Sequence, residues 1–420
     1  MLRLIFLTSI VLSGLILFAC NDELPLQNAL NAKAETFLDT NYDSTIYYAN
    51  QNITTGINTD THFYSYYLIA FSYEKKKFYS NALSNYLEAL NVIPDNNKYD
   101  GYRYGILNNL GKIFNIYSNH ELAIKHYRQA LDYVSDENRA ALLYNLGNAY
   151  KSSGQYEKAT KTYLDSKQIA IQQNDELRQA QLHHKLGLLY LALDDVENAK
   201  SYFKTIVNYS ANESASYQKY VGKALHNIGE IYLRSDDYTT AIQYFEKALT
   251  VKSGTEKFIT YMDLGTCYHN TNQSAKAIAS FKEAEKMYAT VTPYKKYIDL
   301  FKHMHRMYRE QGNMEASTAA VESYFAAIDQ YDRVKEEQIA LFSAAEMNHV
   351  VSNFNDRMAF RQTLEDYKYL ILALAVLLLA VIVLAIRMLR SYLHAKRKKE
   401  SVVNAGKEFF KGVESLLNDV

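Results

Sequence analysis

The residues able to do chemistry are few, and their spacing keeps them apart. His303 and His305 form a His-Met-His. Two positions apart on a helix, they point roughly 200° apart and cannot close on one ion. A helical chelating pair needs i, i+4 spacing, and no His-x-x-x-His occurs in the sequence. His183 and His184 are adjacent, which is no better. Neither G-x-x-x-x-G-K-[ST] nor G-x-G-x-x-G is present, so no glycine-rich loop is marked out to cradle a phosphate. Cys267 sits between Gly265 and Tyr268 at what reads as a packing position, which suits an inert core thiol rather than a nucleophile. These residues give no enzyme, no metal site and no cofactor.

The bulk numbers narrow the field further. The 420 residues hold 46 Lys plus Arg against 46 Asp plus Glu, so no overall charge favours nucleic acid as a partner. Three prolines, no tryptophan and 38 tyrosines suit a helical chain. The remaining thiol, Cys20, closes the apolar stretch Leu4–Phe18 after Arg3. Ala19-Cys20 resembles a bacterial lipobox, in which the thiol takes a diacylglycerol as a thioether and becomes the new N-terminus. That resemblance implies a signal peptide over 1–19 and lipidation at Cys20. The alternatives are an ordinary signal peptide or an uncleaved anchor.

A second apolar run, residues 369–386, has 18 uncharged residues. As a helix it is about 27 Å long, enough with its flanks to cross a bilayer. Arg387, Arg390, Lys396, Arg397, Lys398 and Lys399 follow it, whereas only Arg357, Arg361 and Lys368 closely precede it. The more cationic side faces the cytoplasm. The expected topology is a single pass through a bacterial inner membrane, with residues 21–368 periplasmic and a basic cytoplasmic tail over 387–420.

The segment between the two runs repeats. "LYNLGNAYKSSGQYEKATKTYLDS", "LHNIGEIYLRSDDYTTAIQYFEKA" and "YMDLGTCYHNTNQSAKAIASFKEA" share a glycine, a tyrosine three later, an alanine nine after that, and an aromatic four further on. The glycines are Gly147, Gly229 and Gly265; the last aromatics are Tyr163, Phe245 and Phe281. The frame also fits Gly111-Phe114-Ala123-Tyr127, Gly187-Tyr190-Ala199-Phe203 and Ala70-Tyr73-Ala82-Tyr86. Weaker copies flank these six, around Thr45-Ala49 and Tyr308, giving about eight units over 26–330. The pattern resembles the tetratricopeptide repeat, a helix–turn–helix unit whose open hydrophobic face is buried only by stacking. The resemblance implies an all-α solenoid. Successive units lie 36 to 42 residues apart rather than the family's 34, so helices or loops must be longer.

In that family the first helix of each unit lines a groove. Carried over position by position, the groove face offers Tyr64, Tyr67 and Phe71, then Asn108 and Lys112, then Tyr144, Asn145, Asn148 and Lys151, then Lys185 and Asn227. Asparagine can both donate to and accept from a peptide backbone, and tyrosine gives large contact area at low entropic cost. Asn108, Lys112, Asn145 and Lys185 are similar to the family's clamp for a peptide's terminal carboxylate, with Lys and Asn exchanged in the first unit. The face is therefore such a clamp, a site for another peptide or protein, or only a solvated polar surface.

Beyond the repeats, apolar residues from Val321 to Met358 fall mostly three or four apart without Gly or Pro. They predict one or two long helices, and a stalk over 331–368 entering the membrane, with a homodimer contact through Ile339, Phe342 and Ala345; the alternative is a helix capping the last repeat. In the tail, Phe409, Val413, Leu416 and Leu417 share a helical face that either docks a separate partner or lies on the membrane. The arrangement resembles the exported sensor half of bacterial membrane signalling proteins. Residues 387–420 are too few for a kinase, so a relay would need a separate kinase or regulator. The competing reading is an envelope scaffold lipoprotein; a third is a truncated form of a longer sensor.

Overall fold

The computed structural model describes residues 26–55, 59–208, 214–288, 295–341 and 344–418. Cys20 lies outside the described residues, as does Phe342. The chain forms two compact units, residues 1–350 and 351–420. Every regular element among the described residues is helical.

In the first unit, helices pair in chain order. Pair one is α1 (26–36) with α2 (Tyr42–Thr55); pair two is α3 (Thr59–Lys75) with α4 (Tyr79–Val92). Then come α5 (Asp100–Ile116) with α6 (His120–Ala130), α7 (Asp136–Ser152) with α8 (Tyr156–Gln172), and α9 (Glu176–Ala192) with α10 (Val196–Asn208). The last three are α11 (Ala215–Arg234) with α12 (Tyr238–Val251), α13 (Phe258–Asn270) with α14 (Ser274–Tyr288), and α15 (Lys295–Glu310) with α16 (Met314–Leu341). Helices α7, α8 and α9 have 17 residues each and α11 has 20, which accounts for part of the wide unit spacing.

The repeated glycine has a steric cause. A Cβ built on Gly111, Gly147, Gly187, Gly229 or Gly265 would sit 2.5–2.7 Å from the ring of Tyr127, Tyr163, Phe203, Phe245 or Phe281 respectively. Those rings are wholly buried or nearly so, as are the intervening alanines Ala123, Ala159, Ala199, Ala241 and Ala277. Each ring thus lies close against its partner helix at the glycine, and only glycine leaves room for it. In the second pair, Ala70 holds the glycine position opposite Tyr86 and both are fully buried.

The turns within pairs repeat as closely. Seven residues after each glycine position the backbone turns left-handed, at Lys77, Ser118, Gly154, Asp194, Asp236, Asn272 and Gly312. The next residue's N–H then donates back to the carbonyl of the repeated aromatic, as in Asn119 to Phe114, Asp195 to Tyr190 and Asn313 to Tyr308. This closes each first helix with the same six-to-one bond. Asn119, Asp195, Asp237 and Asn313 also cap the following helix with their side chains. Gly312 fixes the register of the last pair: the glycine position is His305, and Ser317, at the small-residue position, bonds its Nδ1 at 2.9 Å.

Packing between pairs is one-sided. α5 touches α7, α7 touches α9, α9 touches α11, α11 touches α13 and α13 touches α15, while no two even-numbered helices among the described residues meet to the same extent. From α5 to α15 the first helix of each pair therefore lies on the inner side of the stack.

Residues 331–341 continue α16, and α17 runs as one helix from Ala344 to Asn418. The side chains of Ile339 and Ala345 lie outside the described residues, as do those of Phe409, Val413, Leu416 and Leu417. Residues Ala373–Arg397 make a 25-residue stretch long and apolar enough to cross a membrane, none of it buried. It overlaps the run read from sequence and continues into its basic flank.

Candidate functional site

The inner face is built by the odd-numbered helices, and it changes character along the stack. At α3 it is aromatic. Tyr64 and Tyr67 stack at 6.2 Å, Tyr67 and Phe71 at 6.4 Å, because i, i+3 and i+4 residues share one side of a helix. From α5, Tyr102 meets Tyr64 edge-on at 5.5 Å and Tyr67 at 6.0 Å. Burial pushes the Tyr67 and Tyr102 hydroxyls above their usual pKa, with the Glu74 charge next for Tyr67 and the Glu35 charge next for Tyr102.

From α5 to α9 the face is polar and cross-linked. Asn145 Nδ2 donates to Asn108 Oδ1 at 3.0 Å, joining adjacent pairs. Asn109 Nδ2 donates to Tyr86 Oη at 2.8 Å, and that hydroxyl donates to Glu74 Oε2 at 2.7 Å. Lys112 Nζ donates to Asn109 Oδ1 at 3.0 Å. Core tyrosine Tyr163 reaches through to Asn148 Oδ1 at 2.8 Å. Tyr144 lies under two cations, Arg178 at 5.4 Å and Lys185 at 5.5 Å. Of the four residues resembling a carboxylate clamp, Asn108 and Asn145 bond to each other, whereas Lys112 and Lys185 are engaged elsewhere.

From α9 to α13 the face is cationic. Burial, then the charges of Lys223, Lys185, Lys151 and Lys252, pull the His184 pKa down to about 3. The neutral His184 Nε2 can therefore accept from Asn227 Nδ2 at 3.0 Å. Burial lowers the pKa of Lys151, Lys185 and Lys223 as well. A cavity of about 310 Å³ opens here, lined by His184, Lys223, His226, Asn227 and Lys252 among others.

Sequence reasoning missed Tyr102, Arg178 and Lys252. Lys252 follows a second helix, outside the positions counted for the groove. Its one sequence signal is Gly222, an unexplained glycine inside a helix: a Cβ there would meet Lys252 Cγ at 2.8 Å. The other chemistry-bearing residues are absorbed by packing. His303 stacks on Phe281 at 5.5 Å, and Cys267 is fully buried, with its pKa raised to about 12 by burial and then by Asp263. Among the described residues, no three His, Cys, Asp or Glu side chains group as a metal site.

Residues 138–212 and 220–290 match a family model described as tetratricopeptide repeat. Those segments cover α7 to α14 and contain four of the glycine–aromatic pairs. One relative, the intraflagellar transport protein 88 homolog of Homo sapiens, is 29% identical over 163 residues, which is 37% of this chain and 18% of that protein's length. Solved structures with a similar course include a tetratricopeptide repeat protein from Parabacteroides merdae, 17% identical, with a TM-score of 0.45 over 67% of this chain and 98% of that one. Another is the apo quorum sensor NprR from B. thuringiensis, 12% identical, with a TM-score of 0.44 over 76% and 99%.

Proposed function

We propose that this tetratricopeptide-repeat protein binds an extended peptide, or an extended segment of a partner protein, along the inner face of its odd-numbered helices while α17 holds it at a membrane. The observation that carries the reading is the side-chain lattice joining neighbouring pairs, Asn108 to Asn145 and His184 to Asn227. It fixes amides on one inner face, with lysines beside them. A pre-ordered row of donors and acceptors binds a peptide backbone at lower entropic cost than free side chains would. The aromatic patch at Tyr64, Tyr67 and Phe71 supplies anchoring area at one end.

The membrane role follows from chemistry. Large apolar side chains such as Leu377 and Leu379 are about two-thirds exposed on α17. That state is costly in water and favourable in lipid. We read the solenoid as periplasmic, the end of the chain as cytoplasmic, and Cys20 as a lipid anchor. Coupling of binding to a cytoplasmic kinase or regulator, through a paired stalk, gives the protein a sensor role. An envelope scaffold is the second reading, favoured if the tail proves dispensable.

Differential lysine labelling tests the binding face. Lys112, Lys151, Lys185 and Lys223 lie half-buried on the inner side, while Lys161, Lys204 and Lys247 are exposed on even-numbered helices. Acylation in native membranes should be lower than in purified protein at the inner set alone. Equal labelling of both sets in both preparations would refute an occupied inner face.

A further inference from the structure

We infer that the cavity between α9, α11 and α13 is a receptor for a carboxylate of an acidic peptide, with Lys252 as its central cation. The inference rests on the inner-face reading above and names the ligand chemistry of one part of it. Lys252 is only 6% exposed, yet its Nζ makes a single hydrogen bond, to Thr260 Oγ1 at 2.6 Å. An ammonium has three donors, and burying one without a counter-ion is strongly unfavourable. Among the described residues no carboxylate lies within ion-pair distance of it: Glu256, which lines the cavity, pairs instead with Lys219 at 2.7 Å. The position is nonetheless built for. Gly222 clears a path across α11 for the lysine stem, and Thr260 is held in turn by His226 Nδ1 at 3.2 Å. A chain that needed only packing here would place a methionine.

The charges around Lys252 come from each element packed on it. From α11 come Lys223 and His226, from α9 His184, from the turn before α13 Glu256, and from α13 Asp263, whose Oδ2 lies 3.6 Å from His226 Nε2. With Glu256 paired to Lys219, Asp263 beside His226 and His184 neutral, the lysines Lys252 and Lys223 set the charge of the cavity, and Lys185 and Lys151 continue them along the face. Asn227, already fixed by His184, offers an amide beside them. Carboxylates along an extended peptide would meet Lys252 and Lys223 and then the lysines toward α7. Burial also holds Lys252 at a pKa of about 8, so this lysine loses its charge in mildly alkaline solution.

The test uses the full-length protein in detergent and a labelled hexaglutamate peptide with an amidated C-terminus. It should bind at low salt and weaken as salt rises, while hexaglutamine should not bind. Lys252→Met should cut affinity about tenfold, the usual cost of losing one charge-assisted contact. In the parent protein affinity should fall as pH rises through about 8, where Lys252 loses its proton, and Lys252→Met should lose that step. Lys252→Met should also melt higher without peptide, since a buried cation lacking a carboxylate has been removed; a merely structural lysine would melt lower. Equal binding of hexaglutamine, or unchanged affinity and pH profile in Lys252→Met, would overturn the proposal. Displacement of hexaglutamate by inorganic phosphate at matched ionic strength would overturn the peptide assignment. None of these outcomes alters lysine protection in native membranes, so the receptor and the inner-face reading fail separately.

Discussion

Gly229 and Phe245 show how strongly single residues fix this fold. Alanine is the better helix former by about 1 kcal/mol. Its Cβ at 229 would nonetheless sit 2.7 Å from the buried Phe245 ring. Gly229→Ala should therefore destabilise by roughly 1–3 kcal/mol, and Gly229→Leu or Ala241→Leu by more. Thermal unfolding by circular dichroism reads the change, and trimming the ring with Phe245→Leu should recover part of the loss. Tyr163→Phe is subtler. It removes the hydroxyl that holds Asn148 and should cost about 1 kcal/mol while leaving the core ring in place. The glycine–aromatic pairs were legible in the sequence because close approach admits one residue type. Lys252 was not, because its meaning lies in Gly222, Thr260 and Glu256, brought to it from other elements.

Turns carry the next level of order. The left-handed residue seven after each glycine position is glycine in two pairs, but Lys77, Ser118, Asp194, Asp236 and Asn272 elsewhere. Residue type alone does not announce the turn. The six-to-one bond forms whichever residue is present, and a non-glycine pays the strain. Lys77→Gly should thus stabilise the protein by about 0.5–1 kcal/mol, and Gly154→Ala should destabilise it by about 1–2 kcal/mol. No atom lies within 4 Å of a Cβ at Gly154, so that loss would be backbone strain alone, and urea unfolding measures both. The last pair was faint in sequence because His305 stands where glycine is expected; Gly312 and Ser317 recover its frame. The residues read as the start of a stalk, 331–341, prolong α16, because nothing in their composition stops a helix that begins at Met314.

At the scale of the whole molecule, two properties meet in one chain: a solenoid with a cationic and amide-lined inner face, and a helix with an apolar stretch. If α17 spans a bilayer in the proposed direction, a reporter enzyme active only in the periplasm should work when fused at residue 350 and fail at 405; the opposite pattern inverts the topology. A relay further requires that ligand favour one arrangement of the transmitting helix over another. Inserting Gly-Gly at 366, inside α17, should abolish such transmission without altering binding, whereas a scaffold would be indifferent. The claim on which all of this depends is that the inner face is where partners bind. Photo-crosslinking residues placed singly in living cells test it most directly. Replacing Tyr67, Asn145, Asn148 or Asn227 should give discrete crosslinked products, and replacing Lys161, Lys204 or Lys247 on the even-numbered helices should give none. Products from the outer positions alone, or from both sets alike, would contradict the account.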